Sequence, residues 1–302
     1  MAGFFDLQVN GYAGVDFNGD QFDEEEMIAT CRRLADDGND KILATIITAP
    51  MNSMVARIRR IVELIDRIPE VASIIGGVHV EGPFISPVAG FVGAHPVDAV
   101  RPASIKLAKQ LLDAGNGQVR LVTLAPEMDD DATVTRMLTD EGVVVAAGHT
   151  DASIDQLRRG IDQGVKLFTH LGNGCPGQLT RHDNIIQRVL HLSDDLMVSF
   201  IADGHHVPAP ALSNYLKRVP NDNIVIVTDA ISAAGLGPGR YELADQVVEV
   251  DEDGAAWAEC RTHFAGCAAT FPRMIEILKT QLDVSDADIQ QWLSVNPARL
   301  MA

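Results

Sequence analysis

Several absences narrow what this chain can be. Its four cysteines, Cys31, Cys175, Cys260 and Cys267, form no C-x-x-C pair, so neither a zinc knuckle nor a dithiol redox motif is indicated. No apolar run approaches the ~20 residues that a membrane-spanning helix needs. The start of the chain runs directly into FFDLQVN without a basic segment and a long apolar stretch. No secretory signal is therefore expected, and the chain reads as reduced and cytoplasmic. Positive charge is scarce: 24 Lys and Arg stand against 42 Asp and Glu, a formal net charge of −18 at pH 7. That balance argues against nucleic acid or an anionic membrane surface as the main partner, and any anionic substrate needs local basic groups. The acidic residues are scattered over expected helices, as at 23–26 and 129–131, where they read as solvated faces. Low-complexity tracts, linkers and internal repeats are also missing. One domain spanning 1–302 is expected.

What the chain has instead is alternation. Apolar runs at 4–10, 41–47, 74–81, 119–127, 143–150, 166–173, 197–204 and 224–230 are separated by amphipathic stretches such as EEEMIATCRRLADDG and NSMVARIRRIVELIDRI. Continuous apolar strands with helices between them indicate a parallel sheet covered on both faces. Eight such units in 302 residues predict a (β/α)8 TIM barrel. A doubly wound open sheet would gather its polar strand ends near one switch point. Here they are spread over nearly every run, as Gln8 and Asn10, Glu81, Glu127, His149, His170, Asp203 and Asp229. After Asp229 the glycine-rich AISAAGLGPGR leads into YELADQVVEVDEDGAAWAE. That segment predicts a small β-hairpin excursion turning at 251–254, followed by a last helical region from about 268.

Carboxylates and imidazoles are costly to bury without partners. Glu81, His149, His170 and Asp229, each closing a core run, therefore predict a metal centre and metal-assisted hydrolysis. In HVEGPF, Gly82 and Pro83 turn the chain away and leave the Glu81 carboxylate at the barrel mouth. A single histidine in an apolar run is more often a hydrogen-bonded core residue. Two at matching strand ends, together with a glutamate, reverse that preference. Three protein ligands with a position left open describe a catalytic rather than a structural zinc site. Asp229, in VTDA, is of a type favoured at helix N-caps. In a barrel, however, the last strand lies beside the first. A carboxylate there can take a proton from water at the metal and deliver it to a leaving amine.

Taken in order, DLQVNG, HVEGPF, GAHP, LAPE, GHTDAS, THLGN, ADGHHV, VTDAISAAG, FAGCAAT and NPARL resemble the N-acetylglucosamine-6-phosphate deacetylases of the amidohydrolase superfamily, over nearly the whole chain. The resemblance implies hydrolysis of the acetamide of N-acetylglucosamine 6-phosphate to glucosamine 6-phosphate and acetate. It implies that Glu81, His149 and His170 hold one divalent ion and that Asp229 is the catalytic acid–base. Zinc is the ion expected, although Fe²⁺ or Mn²⁺ can use the same ligands. By the same resemblance, His95 in GAHP contacts the acetamido carbonyl and stabilises the developing oxyanion. Asn173 and Gly174 meet the phosphate, Arg181 binds it as a guanidinium fork, and His206 contacts the sugar phosphate. His205 is expected to be incidental.

Many amidohydrolases carry His-x-His at the end of the first strand. Gln8 and Asn10 keep that spacing with weak neutral ligands, as in family members that work with one metal. Relatives are commonly dimers, so a homodimer is compatible with the resemblance, which does not fix the oligomeric state. The chain also departs from the family pattern. GCPGQLTRHDN differs from the usual stretch around the phosphate-binding Arg, and the loop between Glu81 and His95 is slightly longer than common. Cys267 stands where a Ser is usual and is expected to be a small packed residue. The chain begins at the first barrel strand and stops just after NPARL, so the family's β-sandwich is expected to be absent or vestigial. Rival readings are the same chemistry on another N-acyl amino sugar, such as N-acetylgalactosamine 6-phosphate or an unphosphorylated sugar, and a non-catalytic sugar-phosphate sensor.

Overall fold

Eight parallel strands lie side by side in sequence order: β1 (Phe4–Val9), β2 (Asn39–Ile47), β3 (Ile75–Glu81), β4 (Val119–Leu124), β5 (Val144–Ala147), β6 (Val165–Phe168), β7 (Met197–Ile201) and β8 (Ile224–Val227). They are seen in a computed structural model that describes every residue except Met1, Ala2, Asp20, Gln21, Ala244, Asp245, Cys260, Thr262, His263 and Ala265. A helix follows each strand: α1 (Glu24–Asp36), α2 (Met51–Arg67), α3 (Ile105–Gly115), α4 (Thr133–Asp140), α5 (Ile154–Asp162), α6 (Ile185–His191), α7 (Ala209–Arg218) and α8 (Phe271–Leu282). The sheet's two edges meet. Val9 bridges Ala230 in parallel, and the Asn10 N–H donates to the Ala230 carbonyl at 2.7 Å. The Thr228 hydroxyl and N–H both reach the buried Asp6 carboxylate of β1. The fold is the expected (β/α)8 barrel.

The sequence forms these elements for ordinary reasons. β7 (MVSFI) and β8 (IVIV) are buried throughout, as strands covered on both faces must be. α1 opens with a capping box in which Asp23 and Glu26 satisfy each other's backbone N–H groups, and α5 opens the same way with Ser153 and Gln156. α2 buries Met54, Ile58, Ile61, Val62 and Ile65 along one stripe. Each such side chain contributes about 1.5–3 kcal/mol on burial.

The strands are shorter than the apolar runs predict, and the difference falls at the site. β5 ends at Ala147, β6 at Phe168 and β8 at Val227, so His149, His170 and Asp229 lie just beyond their strands. All three take left-handed backbone, with φ of 50°, 34° and 50°. A non-glycine residue pays roughly 1–3 kcal/mol for such a conformation, and it persists only where the surroundings enforce it. Hydropathy cannot register a change in the sign of φ, so the runs overshoot. Glu127 sits in a 3₁₀ turn, Pro126–Met128, rather than in β4, and Asp203 lies past the end of β7.

Beyond β8 the excursion has three strands rather than two. β9 (Gly239–Leu243), β10 (Gln246–Val250) and β11 (Ala256–Ala258) pair antiparallel. Its buried Val248, Val250, Ala256 and Ala258 pack with Ile231 and Ala233 from the loop that follows Asp229. The small sheet is thereby fixed to the barrel mouth. No described helix is long and apolar enough to cross a membrane.

Candidate active site

Alternation along β3 sends His79 and Glu81 to the same side of the strand, into the barrel. His79 is fully buried between the hydroxyls of Thr45 (3.3 Å) and Thr123 (2.8 Å), and burial pushes its pKa down to about 4. It is a neutral hydrogen-bonded floor beneath Glu81. The turn after Glu81 requires glycine: Gly82 has φ +89°, and a Cβ there would stand 2.1 Å from Thr48 Oγ1. The Thr48 hydroxyl donates to the Glu81 carbonyl.

Two imidazoles converge on one Glu81 oxygen. His170 Nε2 lies 3.0 Å and His149 Nε2 3.4 Å from Glu81 Oε1. His149 Nδ1 lies 2.8 Å from the Phe91 carbonyl, which can only accept, so Nδ1 carries the proton. With Nδ1 engaged by that carbonyl, His149 Nε2 is turned toward the Glu81 carboxylate, so a cation seated between the two would be held by both. A backbone carbonyl on the far nitrogen is also how metal-binding histidines are usually oriented. The donor set of one carboxylate and two imidazoles suits a divalent ion. Burial raises the Glu81 carboxyl, but the two imidazoles outweigh that and hold it well below the ordinary carboxylate range. Burial lowers His170, but the Glu81 contact outweighs it and leaves the imidazole above its ordinary value.

His95 belongs to the same cluster by distance, with Nε2 at 3.8 Å from Glu81 Oε2 and its ring centre 4.4 Å from that of His149. Glu81, His95 and His149 are in fact mutually close enough to share an ion. The hydrogen bonding of His95 argues for a different role. Its Nδ1 accepts from the Thr48 N–H at 3.3 Å, which puts the proton on Nε2 and makes that atom a donor. Burial, followed by the neighbouring imidazoles, pushes its pKa down to about 3. His95 is thus a neutral hydrogen-bond donor aimed at the centre.

Gln8 and Asn10, which occupy the first-strand positions, hold the chemistry in place as donors. Gln8 Nε2 donates to Glu81 Oε1 at 3.0 Å, and Asn10 Nδ2 donates to Asp229 Oδ1 at 2.7 Å. Burial raises the pKa of Asp229, with His170 pulling it down and Glu81 pushing it up. The sequence suggests what these two residues are not; their partners emerge only in three dimensions.

A cavity of about 720 Å³ opens over the centre. Glu81, His95, His149, Asn173, Gly174, His206 and Asp229 line it. His170 lies beneath them, buried against Glu81. His206 is held by Asp203, which takes Nδ1 at 2.7 Å and the His205 and His206 N–H groups at 2.9 Å. Cys267 is buried with its thiol 3.6 Å from Asp203, and burial keeps that thiol well above its usual pKa, as suits a packed residue. Arg181 is exposed on the segment between β6 and α6 and does not line the cavity. His205 reaches the Asp253 carbonyl in the hairpin turn. Sequence reasoning missed Asp16, Asn18, Trp257 and Phe264, all of which line the cavity. Only alternation in AAWAE hinted at Trp257, as one face of a hairpin.

The backbone behind the imidazoles is tight. Gly174 has φ +58°, and a Cβ there would lie 3.1 Å from His149 Nδ1 and 3.2 Å from His170 Cε1. Gly174→Ala is expected to displace both rings and weaken metal retention by about tenfold or more, the scale on which losses in ligand orientation act. Competition with a chromophoric chelator measures this. Wild-type retention in the variant would show that the two rings are not held from that side.

No protein-family model matches the chain. Individual proteins do. The N-acetylgalactosamine-6-phosphate deacetylase of Escherichia coli O157:H7 is 30% identical over 298 residues, covering 99% of this chain and 77% of its own. The N-acetylglucosamine-6-phosphate deacetylase of Homo sapiens is 32% identical over 308 residues, covering 99% and 73%. Among solved structures, a mutant N-acetyl-D-glucosamine-6-phosphate deacetylase from Mycobacterium smegmatis, in complex with N-acetyl-D-glucosamine-6-phosphate, superposes with a TM-score of 0.87. It is 27% identical, over 99% of this chain and 77% of that one.

Proposed function

This chain belongs to the N-acetylglucosamine-6-phosphate deacetylase family, hydrolases of non-peptide C–N bonds, and from that premise we propose that it cleaves the acetamide of N-acetylglucosamine 6-phosphate. The carrying observation is the convergence of His149 Nε2 and His170 Nε2 on one Glu81 oxygen, in a cavity that Asp229 also lines. Glu81, His149 and His170 would hold one divalent ion, with zinc the first candidate and Fe²⁺ or Mn²⁺ able to use the same donors. When bound, such an ion supplies Lewis acidity toward the carbonyl oxygen and toward water.

The remaining steps fall to side chains. Asp229, oriented by Asn10, takes a proton from the water whose oxygen attacks the acetamide carbon. The His95 Nε2–H donates to the carbonyl oxygen as it gains negative charge. Asp229 then passes its proton to the nitrogen as the C–N bond breaks, giving acetate and the free amine. Asn173 and Gly174 meet the phosphate at the mouth and His206 contacts the sugar phosphate, while Arg181, exposed outside the lining between β6 and α6, would have to swing inward to pair with it.

Acetate release from N-acetylglucosamine 6-phosphate, N-acetylgalactosamine 6-phosphate and unphosphorylated N-acetylglucosamine tests the substrate. The last is a rival with its own support, because no Lys or Arg is among the described residues lining the cavity. Arg181→Ala is expected to raise KM about tenfold for the phosphorylated sugar and to leave the unphosphorylated one unchanged, the loss of one charge-assisted contact. Equal wild-type kcat/KM on N-acetylglucosamine with and without its phosphate would refute the phosphate reading.

A further inference from the structure

The cavity lining carries a feature that the deacetylase chemistry does not use. Trp257, half-buried on β11, lines it together with Phe264. The two ring centres are 4.4 Å apart at an interplanar angle of 45°, and the two residues also form an antiparallel backbone bridge. The indole N–H donates to Asp251 Oδ2 at 3.0 Å, and the Arg261 guanidinium lies 6.0 Å from the indole ring centre. Phe264 in turn sits 5.1 Å from the His206 ring. The indole is thus fixed from several sides, by an aromatic neighbour, a carboxylate and its own backbone.

An indole in the lining of a hydrolytic cavity has a natural occupant. A pyranose ring presents a face of C–H bonds, which are weakly positive and apolar, and an indole presents a face of negative quadrupole. The charged side chains lining the cavity are Asp16, Glu81 and Asp229 among the described residues, so the lining offers an amino sugar no cation to bind. Resting on the reading that the substrate is an N-acetyl amino sugar, we propose that Trp257, seated on Phe264, is the specificity-determining residue that holds the sugar ring. It would select ring-shaped N-acetyl amines over acyclic ones.

The test uses metal-loaded protein and three substrates: N-acetylglucosamine 6-phosphate, N-acetylglucosamine and the acyclic N-acetylethanolamine. Trp257→Ala is expected to raise KM for hydrolysed ring substrates by about tenfold with kcat nearly unchanged, the scale of one aromatic contact. It should leave kcat/KM for the acyclic acetamide as in wild type. Trp257→Phe, which keeps an aromatic face, should recover most of the loss. Trp257→Leu, which keeps apolar bulk and guards against a folding defect in the alanine variant, should not. Unchanged sugar kinetics in Trp257→Ala, or an equal loss on the acyclic substrate, would overturn the platform and leave the deacetylase standing. Wild-type protein that releases acetate from no amino sugar would overturn both.

Discussion

Asp229→Asn is expected to lower kcat by about three orders of magnitude, the middle of the range that a positioned acid–base contributes, while metal content stays at the wild-type level. The geometry gives the reason for both halves. Asp229 is not among the donors that converge on Glu81, so its amide analogue should leave the ion's cradle intact. An Asn side-chain oxygen can still accept from Asn10 Nδ2, so the local fold should survive as well. What disappears is a carboxylate able to take a proton and return it.

The pH profile carries a second signature. Burial raises the Asp229 pKa, and the base must be ionised to act. Activity should therefore fall as pH drops through that pKa and be fully developed above it. His95, down at about 3, stays neutral across the same range and adds no limb of its own. Any residual activity of Asp229→Asn should lack the acid limb. Substantial turnover with the limb intact would assign the proton transfer to another group.

Removing the ligands should have an effect of comparable size. Glu81→Ala, His149→Ala and His170→Ala are each expected to lower metal affinity by more than about 100-fold, beyond the cost of disturbing an orienting partner, and to lose activity in parallel. Glu81 is the most exposed to this argument, because one oxygen is shared by both imidazoles and by the Gln8 amide. Its removal also leaves the Gln8 donor without that partner, at about 1–3 kcal/mol. Metal-loaded wild type should accordingly melt higher than chelator-treated wild type, since an ion that binds only the folded form stabilises it. Elemental analysis and melting curves on the same preparations check both. A Glu81→Ala chain that retains one tightly held ion would show that the ion sits elsewhere.

The barrel was legible in the sequence because its cause is local. Buried parallel strands are continuously apolar, and eight of them in a row admit few architectures. Glu81, His149, His170 and Asp229 were legible because polar groups that close apolar runs need a reason to be there. Their geometry was not. The left-handed backbone at His149, His170 and Asp229 is imposed by tertiary contacts and leaves no trace in hydropathy. The acceptor that sets the His149 tautomer is the Phe91 carbonyl, and a backbone atom has no residue signature. Gln8 and Asn10 show their spacing in one dimension, but their bonds to Glu81 and Asp229 cross the barrel. Trp257 and Phe264 reach the cavity only because the small sheet folds back over the loop after β8. Arg181 keeps its spacing from His170, its side chain lies exposed outside the lining, and its phosphate contact is left to the Arg181→Ala comparison.

The most direct test of the account is acetate release from N-acetylglucosamine 6-phosphate by chelator-treated protein as zinc is added back in fractions of an equivalent. The account predicts no release without metal, then a rise in proportion to added zinc that levels off at one equivalent per chain. Full release before any metal is restored, or none at any zinc level from correctly folded protein that binds the ion, would contradict it.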